Sequence, residues 1–169
     1  QLDENGEFVR NPKEDLVKVA VVERHQGTGN VACGFLKGYG IKEGAVALSV
    51  AHDSHNIIVV GVNDEEMEFA VNSLIAQEGG IVLVKEGKVI EQMPMPIAGL
   101  MSDQSGEWVD EKLTSIHEKA YTELGICGDV EPVMTLCFMS LAVIPEIKLT
   151  DMGLFDVTTF SFIPVEISR

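Results

Sequence analysis

Hydrophobic residues in the first part of the chain fall into short blocks that predict β-strands. Residues 16–22 are mostly apolar and β-branched, as in a strand near the centre of a sheet. Two further blocks, residues 46–50 and residues 57–62, predict a pair of strands. Because polar side chains fill residues 52–56 between them, we expect a loop at the rim of the sheet there.

A hairpin is predicted next, followed by a segment that cannot be regular. Residues 81–84 and residues 88–93 flank Glu86-Gly87, where glycine can supply the positive φ of a two-residue turn. Residues 93–101 carry prolines at two alternate positions, which remove backbone donors and hold their neighbours extended. We therefore expect an apolar loop or a sheet edge after the hairpin.

Two segments have the periodicity of amphipathic helices. The first follows Asn63, which stands at capping-box spacing from Glu66, and it should end at Gly79-Gly80. The second runs over residues 105–124, with Gly125 placed to terminate it. Each helix should bury one apolar face, formed by Met67, Ala70, Val71, Leu74 and Ile75 in the first and by Val109, Leu113, Ile116, Ala120 and Leu124 in the second.

The C-terminal part of the chain has a weaker pattern. Residues 133–141 are almost entirely apolar, and periodicity alone allows either a buried strand or a buried helix. Residues 149–154 predict a turn. Residues 156–163 predict a last strand, with Phe160 and Phe162 on one face.

Glycines dominate the segment after the first strand. Six of them lie between residues 27 and 44, and their entropic cost disfavours a long helix, so we expect tight turns. Gly27-Thr28-Gly29-Asn30-Val31-Ala32 fits the loose Gly-x-Gly-x-x-Ala form of a dinucleotide fingerprint. The later glycines, however, prevent the helix whose N-terminus would hold a pyrophosphate. A glycine-mediated turn is the default, and nucleotide binding stays an alternative.

The order of these elements favours an α+β domain. Strands cluster early and helices come between and after them, which favours a mixed or antiparallel sheet covered by helices over a strictly alternating fold. Our specific expectation is two sheets packed between helix layers, a four-layer α/β/β/α sandwich. Residues 1–15 are acidic and contain Gly, Asn and Pro, so we expect a linker from a preceding domain, with residues 16–169 forming the domain.

Composition limits the expected partners. The chain has 169 residues, of which 46% are hydrophobic, and a formal net charge of −15. This charge repels phosphate backbones, so we expect neither nucleic acid nor anionic membrane as a partner. No apolar run reaches the roughly 20 residues of a bilayer helix and no targeting segment is recognised, so we expect a cytoplasmic protein. The wide spacing of Cys33, Cys127 and Cys137 favours reduced, mostly buried thiols.

Candidate chemistry is concentrated in His52-Asp53-Ser54-His55-Asn56. Asp53 could orient an imidazole as a general base, or the two imidazoles could bind a metal ion. A metal site here is incomplete, because His-x-x-His directs its rings to different faces of a strand. The alternative is a polar loop in which Asp53 and Asn56 cap turns and the histidines are solvated. His25 could project toward the same rim, whereas His117 lies on the second helix and should be solvated.

Four separated blocks give the sequence a specific resemblance. Together they look like the C-terminal domain of bacterial adenine deaminases, over a stretch from about residue 16 to the end of the sequence. The blocks are Glu23-Arg24-His25 with Gly27-Thr28-Gly29-Asn30; Ala51-His52-Asp53-Ser54-His55-Asn56-Ile57-Ile58-Val59-Val60-Gly61; Pro94 with Pro96-Ile97-Ala98-Gly99-Leu100-Met101-Ser102; and Leu149-Thr150-Asp151 with Gly153-Leu154.

The resemblance implies a hydrolase of purine salvage that converts adenine and water to hypoxanthine and ammonia. Such an enzyme is built on an amidohydrolase barrel with divalent metal ions, manganese or iron, and the barrel supplies the catalytic histidines and acids. The present sequence has no His-x-His motif and far fewer than the roughly 250 residues of a barrel. We therefore predict no catalytic residue, metal ligand or cofactor in this chain, and no deamination by the chain alone.

Three functions of the domain itself remain open. In the first, it packs on the barrel and stabilises the barrel or a homo-oligomer, through an apolar interface formed by Pro94, Pro96, Ile97, Leu100 and Met101. In the second, a rim of His25, His52, Asp53, His55 and Asn56 lines the mouth of the substrate pocket. In the third, the chain is an independent module that binds a small ligand or nucleotide through residues 27–32.

Overall fold

A large antiparallel sheet lies at the centre of the protein in the computed structural model, which describes residues 4, 8, 10, 11 and 13–165. Its strands are β1 (Leu16–Val22), β2 (Val31–Lys37), β3 (Ala45–Leu48), β4 (Ile57–Gly61), β5 (Gly80–Lys85) and β6 (Lys88–Pro94). Their order across the sheet is β2-β1-β4-β3-β5-β6, and every neighbouring pair is antiparallel. The antiparallel sheet of the predicted α+β class is thus confirmed.

Helices and a second, smaller sheet complete the described part of the chain. The helices are α1 (Asp64–Ala76), α2 (Gly106–Thr122) and α3 (Pro132–Met139). The small sheet contains β7 (Ile147–Thr150), β8 (Gly153–Asp156) and β9 (Ser161–Ile163), also paired antiparallel. None of the helices in residues 13–165 has the length and apolar composition needed to cross a membrane.

Both predicted amphipathic helices and the hairpin are confirmed. Asn63 caps α1, with its side-chain oxygen accepting a hydrogen bond from the Glu66 amide at 2.8 Å. Ser105 caps α2 by accepting from the Trp108 amide at 3.3 Å. Glu86 and Gly87 join β5 to β6 with φ angles of 52° and 66°, as a primed two-residue turn requires. The apolar residues 133–141 fall mainly in helix α3.

The two faces of the large sheet are covered differently. On one face, alternate side chains such as Val59 and Val82 pack against Met67 and Leu74 of α1. On the other face, the core is shared by α2, α3 and the small sheet. Its buried members include Val19, Val60, Leu83, Ile116, Leu136 and Leu149. The described chain therefore forms three layers, with α1, the large sheet, and then a layer that contains α2, α3 and the small sheet.

This layering differs from the α/β/β/α sandwich that we expected. The small sheet packs on β1 and β2 while α2 packs on β6, so both lie on the same face of the large sheet and no helix layer covers the small sheet in the described chain. Gly34 of β2 lies beneath the small sheet, since a Cβ there would be in van der Waals contact with Leu154 at 3.4 Å and Leu149 at 3.6 Å. The sequence pattern missed β2 as a strand, because glycine-rich segments usually indicate turns.

The expectation of one last strand over residues 156–163 is wrong. The chain turns between β8 and β9, and Phe160 lies in that turn with a φ of 52°. The Asp156 carboxylate organises the turn by accepting hydrogen bonds from the Thr158 amide at 2.8 Å and the Thr159 hydroxyl at 2.9 Å. Phe160 and Phe162 both contact the ring of Phe155, at centroid distances of 5.2 and 5.3 Å.

The prediction of mostly buried thiols is wrong, because Cys33 and Cys127 are exposed and only Cys137 of the three is buried.

The predicted linker, residues 1–15, falls largely outside the described residues and stays a prediction. Where it is described, Arg10 donates a hydrogen bond to the Lys42 carbonyl at 2.9 Å.

Candidate functional site

The histidine-rich loop connects β3 to β4, and its first histidine is fixed by α3. The His52 amide donates to the Cys137 carbonyl at 3.0 Å, and the Ser140 hydroxyl donates to the His52 carbonyl at 3.2 Å. The His52 ring stacks on Phe138 with a centroid distance of 5.3 Å and an interplanar angle of 22°. His52 therefore supports the loop through α3.

The remaining loop residues separate into exposed and buried groups. Asp53 is exposed, and His55 is half-buried with a φ of 53°. Asn56 is only 4% exposed, and its side-chain oxygen accepts a hydrogen bond from the Arg24 amide at 3.4 Å. Asn56 thus fixes the backbone of Arg24 and cannot reach a ligand from its buried position.

Arg24 joins the histidine-rich loop to the segment that follows β6. Its Nε donates to the His55 carbonyl at 2.5 Å and its second terminal nitrogen donates to the Ala98 carbonyl at 2.8 Å. The guanidinium lies on Gly99, where an added Cβ would be 2.7 Å from Nη1. Burial lowers the pKa of Arg24 from its usual value, but an arginine remains charged at neutral pH. A half-buried positive charge thus connects two loops that are far apart in sequence.

His25 completes this region from the end of β1. The ring is exposed, and its Nε2 donates to the Ser54 carbonyl at 2.7 Å. Around it lies an open cleft of about 480 Å³. The cleft is lined by Arg24, His25, His55, Glu78, Pro96 and Leu100, among others. Two of the predicted rim residues and two of the predicted interface residues therefore share one cleft.

The rest of the proline-containing segment extends away from this cleft. Ile97 and Met101 exchange backbone hydrogen bonds at 3.2 Å and close a short loop. Their side chains are 45% and 58% exposed, while Pro94 at the end of β6 is half-buried. This exposed apolar loop is what the spacing of the prolines predicted.

Ser49 holds the base of the same loop, and sequence reasoning missed it. This fully buried residue follows β3; its hydroxyl accepts from the Gly80 amide at 2.7 Å and donates to the Gly99 carbonyl at 2.5 Å. A serine after a strand has no distinctive local signal. Its function depends on Gly80 and Gly99, which lie far from it in sequence.

The Gly27-Thr28-Gly29-Asn30 segment is the turn between β1 and β2. The Glu23 carboxylate accepts hydrogen bonds from the amides of Thr28 at 3.0 Å and Gln26 at 2.7 Å. Bonds from the Thr28, Gln26 and His25 amides and from the Thr28 hydroxyl hold the pKa of Glu23 at about 2. The chain's own carboxylate therefore occupies donors that a phosphate would need, and β2 stands where a dinucleotide fingerprint requires a helix.

The described residues do not fit a metal centre. No group of three or more His, Cys, Asp or Glu side chains in the described chain is arranged to hold an ion. The rings of His52 and His55 meet edge to face at a centroid distance of 5.7 Å, and His52 is stacked on Phe138. We therefore derive no metal-dependent step from these residues.

His117 is not simply solvated, as its position on α2 had suggested. It is half-buried, its Nδ1 donates to the Leu113 carbonyl at 2.7 Å, and its Nε2 bonds to Glu131. Because Glu131 is the N-cap of α3, this contact connects α2 to α3. His117 thus helps to position the helix on which His52 rests.

This geometry defines an α+β domain with a polar cleft at the rim of its large sheet. Comparisons with known proteins identify the family. A family model described as adenine deaminase C-terminal domain matches residues 2–161, so the chain belongs to the adenine deaminase C-terminal domain family. It is 73% identical over 96% of its length to a protein of Desulfotalea psychrophila named adenine deaminase 2. It is 52% identical over 98% of its length to an adenine deaminase of Ligilactobacillus salivarius. In each case the chain spans about 28% of the relative's length.

Proposed function

We propose that this chain is the non-catalytic C-terminal domain of an adenine deaminase, an enzyme that converts adenine and water to hypoxanthine and ammonia in purine salvage. The family match and the names of the relatives support this parent enzyme. The chain's share of about 28% of each relative leaves ample length for a separate catalytic domain.

Catalysis belongs, in this proposal, to the amidohydrolase barrel of the parent enzyme. The resemblance implies manganese or iron there, and a catalytic metal site takes about three protein ligands. The residues described in this chain bring no such set together, the His25 ring bonds to the Ser54 carbonyl, and the His52 ring stacks on Phe138. The chain's function is therefore to bind and order other parts of the enzyme.

The observation that carries the proposal is the pair of hydrogen bonds from Arg24 to His55 and Ala98. They hold the histidine-rich loop and the proline-containing loop as one rigid surface around the cleft. We place this surface against the barrel, with His25 and His55 at the mouth of the substrate pocket. His52 and Asn56 act through other residues, because His52 rests on α3 and Asn56 is buried beneath Arg24.

Two properties of the parent enzyme stay expectations. It should be a homo-oligomer, and it should act in the cytoplasm. Light scattering on the full-length protein measures the first, and fractionation of the source cells measures the second.

An adenine turnover assay tests whether catalysis belongs to the barrel and not to this chain. The 169-residue chain and the full-length parent enzyme are each supplied with manganese or iron and assayed for ammonia release. We expect turnover by the full-length enzyme and none by the chain. Turnover by the chain alone would overturn the proposal, since its own residues would then form a complete metal site.

Substitutions in the full-length enzyme test the place of the cleft. His25→Ala and His55→Ala should raise KM for adenine, because they remove side chains at the pocket mouth. Glu111→Ala, on the exposed side of α2, is the control and should leave KM unchanged. Unaltered kinetics of both histidine variants, with unaltered thermal stability, would remove the pocket-lining role and leave only the docking role.

A further inference from the structure

On the face of the large sheet that α1 covers, residues 13–165 leave one part of the sheet uncovered. The strand β2 lies at the edge of the sheet, and its alternate side chains Val31, Cys33 and Phe35 point to this face. Val31 is 54% exposed and Phe35 is 44% exposed. Exposed apolar side chains that adjoin one another on a sheet are typical of an interface.

A groove runs between this edge and α1. It has a volume of about 310 Å³ and an apolar floor. The floor and walls include Ala20, Val22, Val31, Cys33, Met67 and Val71. An ion pair between Lys18 and Asp64, with a nitrogen to oxygen distance of 2.6 Å, borders it on the side of the α1 N-terminus.

The groove is continuous with the cleft around Arg24. Val22 lines both this groove and a second depression beside the C-terminal end of α1, where Ile75 is 57% exposed. Arg24 and Glu78 line both that depression and the cleft. We call the whole surface, from Phe35 past Val22 and Ile75 to the cleft, the α1-side surface.

The start of the chain indicates what covers this surface. The ring of Phe8 contacts the ring of Phe35, with a centroid distance of 4.6 Å. The chain matches a C-terminal domain and spans about 28% of its relatives, so in those relatives most of the polypeptide precedes the matching segment. In the described part of the chain, the approach to β1 therefore meets the α1-side surface at Phe35. Covalent connection raises the effective concentration of whatever precedes it there.

A second group of exposed aromatic residues lies on the opposite side of β2. Phe160, in the turn before β9, is 77% exposed, and Phe162 of β9 is 52% exposed. Phe8 contacts Phe35 instead. The contact of Phe8 with Phe35 thus favours the α1-side surface for the preceding part of the enzyme.

We propose that the α1-side surface docks the preceding, catalytic part of the parent enzyme, which fills the apolar groove with apolar side chains of the same polypeptide. This inference rests on the proposed function, because it takes the parent to be a longer enzyme with a separate catalytic domain. It adds the surface through which the two parts meet. Docking here would also bring the barrel to the cleft, since the groove and the cleft are continuous.

Cysteine labelling of the full-length enzyme tests the docking. Cys33 lies in the groove and Cys127 is exposed outside it, so both should react with iodoacetamide if the groove is open. We expect Cys33 to react about tenfold or more slowly than in the urea-unfolded enzyme, since a covered thiol reacts only when its surroundings open. Fast labelling of Cys33 in the folded enzyme would overturn the proposal.

Substitutions distinguish docking from local protection. Partial burial raises the pKa of the Cys33 thiol, so the decisive comparison is made at Cys33 between variants. Val31→Asp places a charge in the groove and Phe35→Asp places one beside it on β2, and both should speed Cys33 labelling. Phe162→Asp, at a similarly exposed phenylalanine of the small sheet, should leave it unchanged. If neither groove variant speeds the labelling while circular dichroism shows that either one is folded, the proposal is wrong.

Two further readouts identify the occupant. Cys33 protection that weakens on dilution would indicate a second copy instead of the preceding part, and would overturn the proposal. Labelling does not depend on turnover, so an open groove in an enzyme that deaminates adenine contradicts the docking surface alone. A full-length protein without adenine turnover contradicts the proposed function instead.

Discussion

The hydroxyl of Ser49 donates a hydrogen bond to the carbonyl of Gly99 at 2.5 Å, in a position where Ser49 is fully buried. Because the same oxygen accepts from the Gly80 amide, Ser49→Ala would leave a buried donor and a buried acceptor without partners. We expect a loss of about 1–3 kcal/mol in the free energy of unfolding. Urea denaturation of the chain measures it. Ser102→Ala is the control, since that hydroxyl only accepts from Gln104 in an exposed turn, and an equal loss in both variants would contradict the assignment.

Gly99 and Gly29 form a matched pair for the contact with Arg24. Both have a positive φ, 74° and 75°, so alanine meets similar backbone strain at either site, about 1 kcal/mol. A Cβ at Gly99 would also lie 2.7 Å from the Arg24 guanidinium, whereas Gly29 has open space around it. Gly99→Ala should therefore destabilise the protein more than Gly29→Ala, by about 1–3 kcal/mol. Similar unfolding midpoints for the two variants would show that Arg24 does not pack on Gly99.

Glu91 connects β6 to α2 and should make stability depend on pH. Burial raises its pKa, but hydrogen bonds from Ser115, Lys112, the Gln92 amide and Lys119 outweigh this effect and bring the pKa to about 2, against 4.5 for the free side chain. A carboxyl whose pKa is lower in the folded state stabilises the protein above the unfolded pKa, and this contribution is lost as the pH falls from 4.5 toward 2.

The measurement compares Glu91→Gln with the unsubstituted chain by urea denaturation between pH 7 and pH 3. The variant should be less stable at pH 7 by about 2 kcal/mol, and the difference should shrink at the lower pH. Glu111→Gln, on the exposed side of α2, should cost little at any pH. A difference that is independent of pH would mean that Glu91 acts through packing and not through its charge.

Arg24→Lys tests whether one side chain couples the two loops. A lysine ammonium cannot reproduce the planar fork that reaches both His55 and Ala98, so one of the two bonds should be lost. Amide hydrogen exchange in residues 52–56 and 96–101 should rise, by about tenfold for each 1.4 kcal/mol of lost local stability. Arg10→Lys is the control, because Arg10 also donates to two carbonyls but in a different place, at Ile41 and Lys42. If amide exchange in both loops is unchanged in Arg24→Lys, the Arg24 side chain does not couple them.

Local sequence patterns predicted strands, helices and turns correctly where a few neighbouring residues determine the element. The alternating or β-branched blocks predicted β1, β3 and β4, and the capping residues and the Glu86-Gly87 turn predicted where α1, α2 and the hairpin begin or end. Local patterns failed at β2, where Gly34 lies inside a strand beneath the small sheet and not in a turn. They also failed after Asp156, whose carboxylate bends the chain between two short strands.

The candidate site was predicted as residue types but not as an arrangement. The sequence singled out the histidine-rich loop and the proline-containing loop separately. That Arg24 joins them, that His52 turns to α3 and that Asn56 is buried are all consequences of contacts between residues at least 31 positions apart. Such contacts depend on the order of strands in the sheet, which no local pattern records.

Because His52 rests on α3, the parts of this domain should fold in a particular order during synthesis. The bond from Ser140 to the His52 carbonyl spans 88 positions of the chain. During synthesis, residues 51–56 leave the ribosome well before α3 does. The loop therefore cannot adopt its final conformation until α3 has been made. Until then β3 and β4 can already pair, and the cleft is among the last features of the domain to form. A nascent chain that ends before Pro132 would therefore contain paired strands but not the ordered histidine-rich loop.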